Sequence, residues 1–127
     1  MSDDDKVQAS DRIRFITYHN RRVLLADCTG CSAGEVAILA DQVPTWVTQE
    51  PTGSVLLLGD FSDAEFNKDS VEHLKIAAVF DRAHLERSAW VLTENLPQVL
   101  LDSIRTFSQR QIPIFKTREE ALDYLVS

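Results

Sequence analysis

The sequence predicts a single α/β domain with a five-stranded, mixed but mostly parallel sheet, an N-terminal β-hairpin and four helices. Three observations predict it. Strand-like and helix-like patterns alternate from residue 21 to the C-terminus, the order that crossover connections between parallel strands require. At the start, "RIRFITY" (12–18) and "RRVLLADC" (21–28), both rich in branched and aromatic residues, are separated only by His19 and Asn20, a hairpin spacing. "VLLLGD" (55–60) opens with four consecutive apolar residues, the signature of a strand covered on both faces and therefore central.

Each element has its own reason. Arg12 and Arg14 alternate with Ile13 and Phe15, which suits a half-exposed edge strand. Ser32, with Glu35 three residues on, has the capping-box spacing in which each side chain satisfies the other's orphan N–H. Val36, Leu39, Ala40, Val43, Trp46 and Val47 then form a helical stripe, which Pro44 should kink or shorten and "EPTGS" (50–54) ends. A second helix is expected over residues 68–87, with Val71, Leu74, Ala77 and Ala78 inward. "SAWVLT" (88–93) reads as the next strand. Asn95 is expected to cap a third helix with Pro97 in its first turn and Val99, Leu100, Ser103, Ile104 and Phe107 inward. "IPIF" (112–115) holds a proline and so reads as an edge strand. Thr117 and Glu120 repeat the capping spacing, and Ala121, Leu122 and Leu125 dock a last helix. Residues 1–10 read as a disordered acidic leader and 11–127 as the domain; no internal repeat or linker is visible.

Composition excludes several roles. Thirteen Lys+Arg against 20 Asp+Glu give a formal charge of −7, opposing nucleic acid or an anionic membrane as partner. No apolar run is long enough to span a bilayer and no signal core is seen, so the expectation is a cytoplasmic protein without membrane insertion, monomeric or homodimeric. Two cysteines are too few for a disulfide framework. The serines lack a nucleophile-elbow context, and the four glycines form no phosphate loop. No enzyme activity and no cofactor is expected.

Two loops could still carry chemistry. In "LADCTGCSAGE" (25–35), Cys28 and Cys31 form a CxxC between strand and helix, where a helix N-terminus can lower a thiol pKa. A thiol oxidoreductase is therefore one reading. Against it, no aromatic residue precedes the motif, Asp27 would raise the thiol pKa, and Cys28 would sit in the sheet packing as a small hydrophobe. His19, His73 and His84 have no paired spacing that would complete a zinc site. In "GDFSDAEFNKDS" (59–70), Asp60, Asp63, Glu65 and Asp69 could surround a hard cation, although acidic loops are ordinarily just solvated, and no metal site is assigned. Ser70 stands in a helix's first turn, where a phosphate would be favoured by the dipole and opposed by those carboxylates. The plainer reading is that Asn67 or Asp69 caps this helix. Phe61, Phe66, Phe80, Trp90 and Phe107 could line an apolar pocket or simply fill the core. Arg82, His84, Arg87 and Trp90 are a further candidate surface.

The order of elements, with "VLLADCTGCSAGE", "VLLLGDFSDAEFNKDS" and "IPIFKTREEALDYL", resembles the STAS superfamily of anti-sigma-factor antagonists. It is most similar to the SpoIIAA-like branch, which is grouped with Sec14-type lipid carriers. The resemblance covers nearly the whole chain. It implies a non-enzymatic regulatory or binding module whose partner loop is 60–70, matched at Asp60, Phe61, Ser62, Phe66, Asp69 and Ser70, with Ser70 where the family's phosphorylated serine stands. Asp60, Ser62, Asp69 and Ser70 are thus the candidate phosphorylation or partner residues. Sec14 kinship implies the alternative, a carrier of a small apolar or lipid ligand.

Overall fold

The alternation of apolar and helical patterns resolves into the expected order. A computed structural model describes residues 11–127; the acidic leader, 1–10, lies outside the described residues. The chain runs β1 (Ile13–Tyr18), β2 (Arg21–Asp27), α1 (Ala33–Val47), β3 (Val55–Asp60), α2 (Lys68–Asp81), β4 (Leu85–Val91), α3 (Gln98–Ser108), β5 (Ile114–Phe115) and α4 (Arg118–Val126). The five strands lie in sequence order, β1 antiparallel to β2 and every later neighbour parallel. His19 and Asn20 make the hairpin turn, both with positive φ.

Strand periodicity divides the core in two. Leu24, Ala26, Leu57 and Trp90 face the layer formed by α1, α2 and α3. Val23, Leu25, Leu56, Leu58, Ala89 and Val91 face the other way, onto Ala121, Leu122 and Leu125 of α4. All six residues of β3 are buried, as its unbroken apolar run required. No helix among the described residues is long and apolar enough to cross a membrane.

Several boundaries differ from expectation, each for a local reason. The second helix stops at Asp81, followed by a 3-10 turn at Arg82–His84, and β4 starts at Leu85 instead of residue 88. The carbonyls of Ala83 and His84 are already taken by the N–H groups of Gly53 and Ser54, so pairing beside β3 begins there. Pro44 does not end α1 at its own position; the helix runs on to Val47, and Thr48 closes it by donating N–H and Oγ1–H to the Pro44 carbonyl. Asn95 does not cap α3, whose N-cap is Pro97. That helix is also rotated from the expected face: Leu101, Ile104 and Ser108 are buried, while Val99 and Phe107 are exposed. β5 is only two residues long, yet the Pro113 carbonyl still accepts from Trp90 N–H, because a proline loses its donor and keeps its acceptor.

Candidate functional site

The parallel strands all end on one rim, where ligands of open α/β sheets collect. There β2, β3 and β4 finish in the same way. Cys28, Phe61 and Leu92 each extend the ladder by one hydrogen bond, to the carbonyls of Asp60, Val91 and Phe115. A Thr or Ser follows, and then a left-handed residue: Gly30 (φ 67°), Asp63 (φ 58°) and Glu94 (φ 55°). In the first two turns the strand-end aspartate caps its own turn. Asp27 Oδ1 accepts from Thr29 N–H and Oγ1–H (3.2 and 2.7 Å), and Asp60 Oδ1 from Ser62 N–H and Oγ–H (3.0 and 2.7 Å). The two turns therefore share a short Asp-x-Ser/Thr pattern. It is three residues long, and only the register of Asp27 beside Asp60 gives it meaning.

Strand parity turns both aspartates to the α4 side, continuing Val23–Leu25 and Leu56–Leu58. Arg118, the first residue of α4, bridges them, donating from Nε to Asp60 Oδ2 (2.8 Å) with Nη2 3.4 Å from Asp27 Oδ1. Arg12 donates to the carbonyls of Asp27 and Thr29. Hydrogen bonds from Thr29, with Arg118 and Arg12 nearby, outweigh burial and hold the Asp27 carboxyl below its usual range. Asp60 is thus a structural carboxylate with an arginine partner. Neither Arg118 nor Arg12 was singled out for this role, since nothing in their local sequence marks it; the alternation ending in Asp27 and Asp60 was the available signal.

The loop that follows is locked. Asn95 donates its amide to the carbonyls of Phe61 and Ala64, Glu65 N–H donates to the Cys31 carbonyl (2.8 Å), and Asp63 N–H to Thr93 Oγ1 (3.0 Å). Asn67 caps α2, accepting from Ser70 N–H (2.8 Å) while Ser70 Oγ accepts from Asn67 N–H (2.9 Å) and donates to its carbonyl. Ser70 is wholly buried, and Ser62 half-buried. Asp63, Glu65, Lys68 and Asp69 are exposed. Among the described residues no group of three or more His, Cys, Asp or Glu is placed to hold a metal ion.

The aromatic candidates separate. Phe61 packs on Trp90 (ring centroids 4.8 Å) and on Phe66 (5.7 Å). Gly59 permits this closure: a Cβ there would stand 2.8 Å from the Phe61 ring and 3.1 Å from Trp90. Phe61 and Trp90 line a cavity of about 40 Å³ between the sheet and helices α1 and α2, together with Leu39, Val43, Leu57 and Leu74. Phe80 and Phe107 do not line it; they face solvent, 61% and 57% exposed. Arg82, His84 and Arg87 are likewise dispersed, bonded to the carbonyls of Ser108, Glu50 and Tyr124. At the floor of the α2 layer Asp81 and Arg110 also line the cavity, and no sequence pattern pointed to either.

The CxxC is a strand-to-helix turn. Cys28 and Cys31 are free thiols, each 2% exposed or less, in contact with one another. The neighbouring Cys31 thiol and burial push the Cys28 pKa well up, whereas the Cys28 thiol lowers that of Cys31 against the effect of burial. Ser32 and Glu35 form the expected capping box, with Glu35 held below its usual pKa by those bonds. Comparison of the chain with protein-family models, curated proteins and solved structures finds no match.

Proposed function

We propose that this protein is a non-enzymatic regulatory module of the SpoIIAA-like, STAS type, which engages a protein partner through the rim formed by loop 60–70 and its neighbours. One observation carries the reading. Two non-glycine residues, Asp63 and Glu94, are left-handed at adjacent strand ends, both exposed, with the Asp63 N–H held by Thr93 Oγ1 and Glu94 set between the hydrogen-bonded Thr93 and Asn95. Such a conformation costs about 1 kcal/mol per residue, and backbone strain of this sort gathers where a surface is used. A rigid ledge also loses little conformational entropy when it docks. Ser70 supports the helix cap from inside, so the partner meets the ledge itself: Asp63, Glu65, Lys68 and Asp69.

The carrier alternative needs a chamber. At about 40 Å³ the cavity is far below the roughly 300 Å³ at which ordinary ligand sites begin, and the roomier hollows beside Pro44 and Phe80 and beside Arg105 and Pro113 are shallower and more open to solvent, so the interaction module is favoured. Burial of both thiols weighs against the oxidoreductase reading, which comes third.

Quantitative affinity capture from the native host tests the proposal, comparing the natural protein with the double variant Asp63→Lys, Glu65→Lys. A partner retained by the natural protein and reduced at least about tenfold by the variant is expected, since rim charge governs encounter and register. Equal recovery from a variant with unchanged circular dichroism would overturn it. Native mass spectrometry of the purified protein gives the contrast: a lipid mass that dissociates on denaturation would favour the carrier.

A further inference from the structure

The cavity under Gly59 contains one feature that hydrophobic packing does not explain. Its walls are apolar, from Leu39 and Val43 of α1, Leu57 of β3, Leu74 of α2 and Trp90 of β4. Into this lining the last residue of α2 brings a carboxyl group. Asp81 is 3% exposed, and its Oδ1 has no hydrogen-bond partner among the described residues. An orphan acceptor at such depth costs on the order of 1–3 kcal/mol of desolvation, and native interiors keep few of them. Arg110 also lines the cavity, but its guanidinium is committed elsewhere, to Ser88 Oγ (2.6 Å) and the Ala78 carbonyl (3.3 Å).

We propose that this cavity is a binding site for a short-chain alcohol, its alkyl body against Trp90 and the leucines and its O–H donated to Asp81 Oδ1. The class follows from the lining. Arg110 disfavours a cationic ligand and Asp81 an anionic one, which leaves a neutral molecule. A single orphan acceptor calls for a single donor. A volume of about 40 Å³ corresponds to roughly three water-sized units, so the body has about three or four heavy atoms. Water is the poorer occupant, because each buried water needs about two to four polar partners and the walls offer little beyond Asp81 and Arg110. With so few atoms the affinity is weak, a Kd on the order of millimolar. The cavity shares Cys28 and Phe61 with the rim, but the inference does not rest on the rim's partner.

The test is a titration of the isotope-labelled full chain with 2-propanol, and in parallel with propane, followed through the Trp90 indole N–H and the methyl groups of Leu39, Leu57 and Leu74. Expected is a saturable shift of these signals with 2-propanol, with propane binding at least about tenfold more weakly for want of a donor. Asp81→Asn keeps an acceptor oxygen and should bind within a few-fold of the natural protein, whereas Asp81→Leu and the cavity-filling Ala77→Leu should lose the shift. Because the two-ligand comparison uses the unaltered protein, poor folding of a variant does not blunt it. Equal binding of propane and 2-propanol, no saturable shift, or a long-lived water at Asp81 that the alcohol fails to displace would each overturn the proposal.

Discussion

Asp60 and Asp81 are equally withdrawn from water, each 3% exposed, yet their surroundings are opposites. Asp60 ends a central strand and receives Ser62 N–H, Ser62 Oγ–H and the Arg118 guanidinium. Asp81 ends a helix, where the dipole already disfavours a negative charge, and Oδ1 receives nothing from the described residues. Burial pushes its pKa up to about 7, against the pull of Arg110 and His84. The same desolvation drives the Arg110 pKa down. Equal burial therefore does not mean equal chemistry: the partners decide whether a carboxylate is a strut or a liability. At the rim Asp27 and Asp60 are built with partners, whereas at the lower end of α2 Asp81 Oδ1 has none among the described residues.

Breaking the strut should have the largest effect. Asp60→Ala leaves Arg118 without its main partner and removes the turn cap, and should cost about 3 kcal/mol in urea unfolding. A loss below about 1 kcal/mol would mean that the triad contributes little, as exposed pairs do.

Removing the liability should act with the opposite sign. The folded pKa of Asp81 lies above its unfolded value of 3.8, so its contribution to stability is fully present below pH 3.8 and is lost as pH rises through about 7. Asp81→Asn should therefore flatten the stability profile over that window and raise stability at alkaline pH by about 2 kcal/mol. Chemical denaturation across the pH range measures this; an unchanged slope would show that Asp81 is already satisfied.

Smaller effects refine the contrast. Gly59→Ala drives a methyl into Phe61 and Trp90, and about 1.5 kcal/mol of overpacking should appear together with altered Trp90 fluorescence. Glu94→Gly relieves a left-handed residue on the rim and should stabilise by about 0.5 kcal/mol while weakening partner capture. Gain of stability with full capture would separate the strain from the function.

Much of the fold was legible because periodicity and caps are local. The apolar run of β3, the hairpin at His19–Asn20 and the Ser32–Glu35 and Asn67 caps need only neighbours along the chain. The α3 face was misread because its amphipathic pattern admits two rotations, and the one that exposes Val99 and Phe107 is chosen by packing on α2 and the sheet. Similarly, Asn95 has the composition of a cap, yet its amide is drawn to Phe61 and Ala64, carbonyls more than thirty residues distant. At the rim, Asp60, Ser62, Asp69 and Ser70 were identifiable by position. That Ser70 is interior, and that Phe80 and Phe107 stand outside the cavity with Phe61 and Trp90, was not.

Sequence by itself determined the order of elements, the antiparallel edge, the central strand and the acidic character of the rim, because each rests on spacing within a dozen residues. Tertiary structure alone decided that Arg118 joins Asp27 to Asp60 and that Asp81 meets Arg110 around a cavity. These groups lie between 29 and 91 residues apart in the chain (110 − 81 and 118 − 27), and only sheet register and helix docking bring them within reach of one another's charge.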